Sequence, residues 1–209
     1  MTAGGVLKRY PVDLVLEGVP CVVIGGGRVA ARKVRDLVAC GARVTVVAPE
    51  VCEEIRATPG VRVLRREYRP GDLEGQRLVL TAVGEREVVD AVAAEAEARG
   101  LWMNAADDPE RCSFTLPAVL RRGDLLVTVS TSGKSPALAR WLRDRLADEV
   151  GPEFEVLLDI LAEEREARRA AGQSSVDLDW PRALESGILE LVRQGHLAEA
   201  KERLQACLS

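Results

Sequence analysis

The sequence predicts an α/β protein built on a doubly wound parallel sheet, followed by a small βα segment and an all-helical C-terminal region. Two observations carry that expectation. Between residues 20 and 105, short β-branched runs alternate with stretches of helical periodicity, the pattern of parallel strands joined by crossover helices. From Glu153 onwards every periodic segment is helical instead.

Cys21-Val22-Val23-Ile24 reads as the first strand and ends in Gly25-Gly26-Gly27. The helix after it carries Ala30, Val34, Leu37 and Val38 on one stripe, with Arg32, Lys33, Arg35 and Asp36 elsewhere, and Gly41 supplies its stop. Arg43–Val47 is the second strand, closed by Pro49; Val61–Leu64 is the third and Leu78–Val83 the fourth. Glu85–Arg99 is a helix with Val88, Val89, Val92, Ala93 and Ala96 inward, and Leu101–Ala105 is the fifth strand. Beyond Phe114 a strand over Asp124–Ser130 leads into a polar loop. A helix then opens with Ser135 as N-cap and Pro136 at the first helical position. That helix runs to Val150, where Gly151-Pro152 breaks it. Helices are expected over Glu153–Ala171, about Pro181–Gln194 and Leu197–Leu208, with Gln173–Asp179 as a link. The expected division is residues 1–114, 115–150 and 151–209.

Composition narrows the function classes. The chain has 209 residues, 47% of them hydrophobic, enough to build a full domain core and a smaller one. A net charge of −4 gives no global electrostatic support to a nucleic-acid partner. Cys21, Cys40, Cys52, Cys112 and Cys207 are odd in number and form no C-x-x-C pair, which favours reduced thiols in a cytoplasm over a disulfide frame or a zinc site. Met1–Tyr10 lacks a signal-peptide core, and no apolar stretch approaches the ~18 residues of a membrane span. A cytoplasmic protein with no membrane contact is expected. His196 is the only histidine, so neither His-based catalysis nor a His-rich metal site is expected.

The glycine run has a chemical reading. Gly25, Gly27 and Ala30 form the G-x-G-x-x-A version of the dinucleotide-binding fingerprint. The first glycine makes the tight turn and the second lets a pyrophosphate approach the backbone. The alanine lets the helix sit close to the strand, with its free N–H groups aimed at the phosphates. A Gly-rich turn without a ligand is the competing reading, and the complete βαβ unit around the motif weighs against it. The whole region then reads as a Rossmann-type sheet. The usual acidic residue at the end of the second strand is missing, because Val47-Ala48-Pro49-Glu50 offers only Glu50, slightly late. No arginine follows to hold a 2′-phosphate, which favours NAD over NADP.

Ligands in such sheets sit at the carboxyl ends of the strands, where Asn104 and Asp107 fall. Asp107 is either a general base or the cap of the Asp108-Pro109 turn. The loop Ser130-Thr131-Ser132-Gly133-Lys134-Ser135 is not a P-loop, since Thr128 stands where its first glycine belongs. It is either an anion site at a helix N-terminus or a plain helix cap. Arg28, Arg111, Arg121, Arg122, Lys134 and Arg140 lie near these loops and would suit a polyanionic small molecule.

Together these segments resemble the precorrin-2 dehydrogenase family, the N-terminal module of siroheme synthase. The resemblance runs through Tyr10-Pro11-Val12, Val23–Lys33, Gly41–Pro49, Asn104–Asp107, Ser113–Ala118 and Val129–Ala139. It implies oxidation of precorrin-2 to sirohydrochlorin with NAD as hydride acceptor, and in some members Fe2+ insertion to give siroheme. Cofactor contacts then map to Gly25, Gly26, Gly27, Arg28, Val29, Pro49, Glu50, Thr81 and Ala82. Asp107 becomes the catalytic base, and Asn104, Ser130, Thr131, Ser132 and Lys134 border the tetrapyrrole. The resemblance also implies a homodimer formed through 115–150, and no resident metal. These residues include no methyltransferase module, so a separate enzyme is expected to make precorrin-2. The competing class is a non-catalytic NAD-sensing regulatory domain, which shares the glycine loop. Such domains normally carry the second-strand acid and lack the Ser-Gly-Lys-Ser-Pro segment.

Overall fold

The computed structural model describes residues 9–174 and 178–208. Part of the expected Gln173–Asp179 link, and most of the Met1–Tyr10 segment, lie outside the described residues. Two compact units divide at Leu116/Pro117.

The first unit is a five-stranded sheet in the order β3-β2-β1-β4-β5 with every neighbouring pair parallel. Its strands are β1 (Pro20–Ile24), β2 (Arg43–Val47), β3 (Arg62–Leu64), β4 (Leu78–Thr81) and β5 (Trp102–Ala105). The crossover helices are α1 (Arg28–Ala39), the single turn α2 (Glu53–Arg56) and α3 (Arg86–Ala98). The period of two along β1 builds both cores. Cys21 and Val23 pack with Ala30, Val34 and Leu37 of α1, while Val22 and Ile24 pack with Val89, Val92 and Ala96 of α3. Burial in the first core pushes the Cys21 thiol up to about 11. Strand order reverses at β1/β4, so the glycine loop leaving β1 lies at the switch point where open sheets take their ligands.

The second unit starts with an antiparallel hairpin, β6 (Ala118–Arg122) and β7 (Leu125–Val129). No strand was expected at 118–122, where Pro117 and the Arg121-Arg122 end leave an apolar run of only three residues. The available signal was the two-residue turn Gly123-Asp124, with Gly123 at φ +53. α4 (Pro136–Glu149) follows, opened by Ser135, whose hydroxyl accepts the Leu138 N–H at 3.2 Å. α5 (Glu153–Ala170) packs with α6 (Trp180–Ala183), α7 (Leu189–Arg193) and α8 (Leu197–Cys207) around Leu157, Ile160, Ile188 and Leu204. The continuous helix expected over Pro181–Gln194 is broken at Gly187, whose φ of +88 turns the chain between α6 and α7. Among the described residues no helix is long and apolar enough to cross a membrane.

The turn between β3 and β4 is tied by charge. Arg66 donates to both carboxylate oxygens of Asp72, at 2.7 and 2.6 Å, and the Arg69 N–H adds a third bond at 2.8 Å. This holds Leu73, fully buried, in the α3-side core. The Arg66 fork keeps the Asp72 carboxyl below the usual carboxylate range. A carboxyl depressed on folding contributes stability above its unfolded pKa and loses it as pH falls through the folded value. Asp72→Asn is therefore expected to lower the urea midpoint at neutral pH, the difference from wild type shrinking as pH falls from neutral through the depressed Asp72 value. Urea titrations across that range check it; a deficit independent of pH contradicts the charge pairing.

Candidate functional site

The site is built from strand ends. Gly25 has φ +121, and a Cβ placed on it would stand 2.5 Å from the Ala82 carbonyl oxygen. At Gly26 the crowding is greater, since a Cβ would stand 1.8 Å from the Glu50 carbonyl oxygen. Backbone bonds close the same region: Gly25 N–H to the Val47 carbonyl (2.9 Å), Cys52 N–H to the Gly26 carbonyl (2.8 Å) and Ala82 N–H to the Ile24 carbonyl (2.8 Å). Gly27 is different. Nothing lies within 4 Å of its would-be Cβ, so its lack of a side chain keeps an outward surface open.

Gly27 is also the N-cap of α1, with no side-chain cap and no acidic residue in the first turn. An uncapped N-terminus without acids has unneutralised positive dipole, as an anion requires. Ala30 is fully buried against the sheet. This cradle fits the pyrophosphate of a dinucleotide. Arg28 and Val29 are exposed beside it, and Pro49 and Glu50 are exposed on the loop after β2. Thr81 is buried in the sheet with its carbonyl accepting the Ala106 N–H at 3.0 Å, and Ala82 walls the glycine turn.

At the end of β5 the chain turns sharply through Asp107, which is exposed and holds φ +60, a left-handed conformation that aspartate tolerates better than most residues. Asp108 and Asp90 both pair with Arg111, the Asp108 bond measuring 2.6 Å. The returning segment 112–114 covers β5: Ser113 N–H bonds the Met103 carbonyl (2.9 Å), Met103 N–H bonds the Ser113 hydroxyl (2.7 Å), and Ala105 N–H reaches Cys112 Sγ (3.2 Å).

Asn104 is buried, on the opposite sheet face from Met103 and Ala105. Its Nδ2 donates to the Phe114 carbonyl at 3.1 Å, and its Oδ1 accepts from Lys33 Nζ at 2.7 Å. Burial lowers the Lys33 amine below its ordinary range, against the raising influence of Cys112, Asp107 and Asp36. Sequence reasoning placed Lys33 off the buried stripe. Its spacing was the missed signal, because Ala30, Lys33, Val34 and Leu37 follow i, i+3, i+4, i+7.

The Ser130–Ser135 loop lies in the second unit. Thr131 Oγ1 accepts the Ser135 N–H (3.1 Å) and donates to the Ser135 carbonyl (3.0 Å), and Ser130 Oγ accepts the Ser132 N–H (3.3 Å). Ser132 and Lys134 are exposed. Two members of the expected basic cluster serve the fold: Arg111 pairs with Asp90 and Asp108, and Arg122 donates to the Val150 and Ala147 carbonyls near the end of α4. Among the described residues no group of three or more His, Cys, Asp and Glu is arranged to hold a metal ion.

A model of an NAD(P)-binding family matches residues 12–118, the whole of this sheet and its return segment. The chain belongs to that family. Within this NAD(P)-binding protein, residues 122–149 match a second model, the central region of sirohaem biosynthesis proteins. The chain is 37% identical over 209 residues to a siroheme synthase of Methylobacillus flagellatus, covering 97% of this chain and 44% of that protein. With a siroheme synthase of Methylococcus capsulatus it shares 37% over 203 residues, covering 95% and 43%. The chain thus spans less than half the length of these curated relatives. Among solved structures it resembles SirC, a precorrin-2 dehydrogenase, with a TM-score of 0.74 and 27% identity over 95% of this chain and 98% of that one.

Two of the three glycines separate by experiment. Gly26→Ala is expected to lower thermal stability and abolish NAD+ binding, because its Cβ collides with backbone. Gly27→Asp is expected to leave stability within about 0.5 kcal/mol and to weaken NAD+ binding at least about tenfold by placing a carboxylate against the pyrophosphate. Calorimetry on both variants checks this, and unaltered affinity in Gly27→Asp refutes the phosphate cradle.

Proposed function

We propose that this chain oxidises precorrin-2 to sirohydrochlorin, with NAD+ as the acceptor. The observation that carries the reading is its likeness to a precorrin-2 dehydrogenase over nearly the full length of both chains. The local chemistry agrees with it. Dehydrogenation removes one hydride and one proton; NAD+, when bound, would supply the hydride acceptor, and the proton falls to the protein.

Gly25, Gly26, Gly27, Arg28 and Val29 receive the pyrophosphate, and Pro49 with Glu50 borders the adenosine. Thr81 and Ala82 shape the wall at β4. Asp107 accepts the proton: it is an exposed carboxylate, at the carboxyl end of the sheet, held in a sparsely populated conformation. Asn104 supports the substrate side of the same turn. In the second unit Ser132 and Lys134 offer a hydroxyl and an ammonium to an anionic tetrapyrrole. Ser130 and Thr131 order that loop from within. The proposal includes a homodimer formed through residues 115–150, a cytoplasmic setting in keeping with five free cysteines, and Fe2+ as a further substrate, Asp107 then accepting pyrrole protons.

The test is an anaerobic assay in which enzymatically generated precorrin-2 is mixed with NAD+ or NADP+, followed by Fe2+. Sirohydrochlorin and NADH are expected to appear together, and Fe2+ to change the spectrum faster than it does without protein. NAD+ binding without turnover would leave a nucleotide-sensing domain instead. Asp107→Ala is expected to lower kcat by about 10²–10⁴-fold with NAD+ affinity held within about twofold. Full turnover in that variant removes Asp107 as the base. Sedimentation of the protein tests the dimer.

A further inference from the structure

Lys33 occupies a place where a lysine needs a reason. It stands on the sheet-facing stripe of α1, between fully buried Ala30 and Val34, and is itself half-buried. Burying an ammonium is costly unless a partner meets it. The partner is Asn104 Oδ1 at 2.7 Å. Because an ammonium only donates, this bond settles which end of the Asn104 amide is the oxygen, and Nδ2 is turned to the Phe114 carbonyl at 3.1 Å. One side chain of α1 is thereby tied, through one side chain of β5, to the segment that returns over the sheet.

The two ends of this tie matter for the proposed chemistry. At one end is the helix whose first turn receives the pyrophosphate. At the other, three residues past Asn104, is Asp107 in its left-handed turn. The turn is also held from within its own neighbourhood: the Ala106 N–H bonds the Thr81 carbonyl at 3.0 Å, and the Cys112 thiol bonds the Ala105 and Asp108 carbonyls at 3.3 Å. The titratable groups that bear on the Lys33 amine are Cys112 and Asp107 from the turn and Asp36 from its own helix. Arg111 is engaged by Asp90 and Asp108.

We propose that Lys33 is a positioning residue for the dehydrogenation: by holding Asn104 from α1, it fixes the end of β5, and with it Asp107, relative to the cofactor helix. Lys33 does not touch the reacting atoms; it acts through Asn104. This rests on the dehydrogenase reading for its kinetic consequence, whereas the mechanical consequence stands without it.

The experiment compares wild type, Lys33→Met and Lys33→Arg by steady-state kinetics with precorrin-2 and NAD+, and by amide hydrogen exchange over residues 104–107. Lys33→Met is expected to lower kcat at least about tenfold, as a sub-ångström displacement of a catalytic group does, with KM for NAD+ held within about twofold. Exchange at 104–107 is expected to quicken at least about tenfold while the first turn of α1 is unchanged. Lys33→Arg, which keeps the donor, is expected to restore most of both. The wild-type rate is also expected to decline on the alkaline side below the ordinary lysine range, and that limb to move outward in Lys33→Arg. If Lys33→Met does not fold, Lys33→Ala, which also lacks a donor, carries the same comparison. Wild-type exchange in Lys33→Met, or a loss confined to the KM for NAD+, overturns the proposal. If the wild type does not reduce NAD+, the dehydrogenase reading has failed, and exchange alone decides the role of Lys33.

Discussion

The absence of a side chain at Gly26 is the constraint on which the first unit depends. The Glu50 carbonyl occupies the space a Cβ would need, 1.8 Å from where that atom would stand. The Cys52 N–H bonds the Gly26 carbonyl at this close approach, beside the Gly25–Val47 and Ala82–Ile24 bonds that continue the sheet. The close approach also delivers the chain into α1 with no capping side chain, so the helix start keeps its donors for a ligand. A protein gives up some capping energy there in exchange for an anion site.

Charge is spent unevenly across the molecule. Arg66 ties a turn, Arg122 satisfies carbonyls near the end of α4, and Arg111 bridges two aspartates, so each arginine organises backbone as much as it decorates a surface. Asp107 contrasts with them. It is exposed and left-handed in its backbone, and the role proposed for it is chemical, not structural. The Thr131 hydroxyl, a candidate for substrate contact on sequence grounds, is used in both directions inside its own loop.

Local rules were enough for much of the fold. β2 falls on Arg43–Val47 as expected, α4 opens with Ser135 and Pro136, and α3 buries Val89, Val92 and Ala96. Such elements announce themselves because periodicity, caps and stops all lie within a few residues. β6 did not, because its apolar run is short and its pairing partner defines it. The break at Gly187 did not either, since an isolated glycine in a helical pattern is compatible with continuation until packing requires a left-handed turn.

The sequence by itself determined the alternation of strands and helices, the glycine fingerprint and the placement of Asp107 at a strand end, because each follows from side-chain type at fixed spacing. Only the tertiary structure decided which glycine is sterically indispensable, which arginines are already engaged, and that Lys33 is held by Asn104. Those outcomes depend on atoms brought together from 71 positions apart in the last case, and on 24 in the approach of Glu50 to Gly26. Spacing along α1 could have put Lys33 on the buried face, but its partner has no local signature, since it is the packing of α1 on the sheet that brings Asn104 to it.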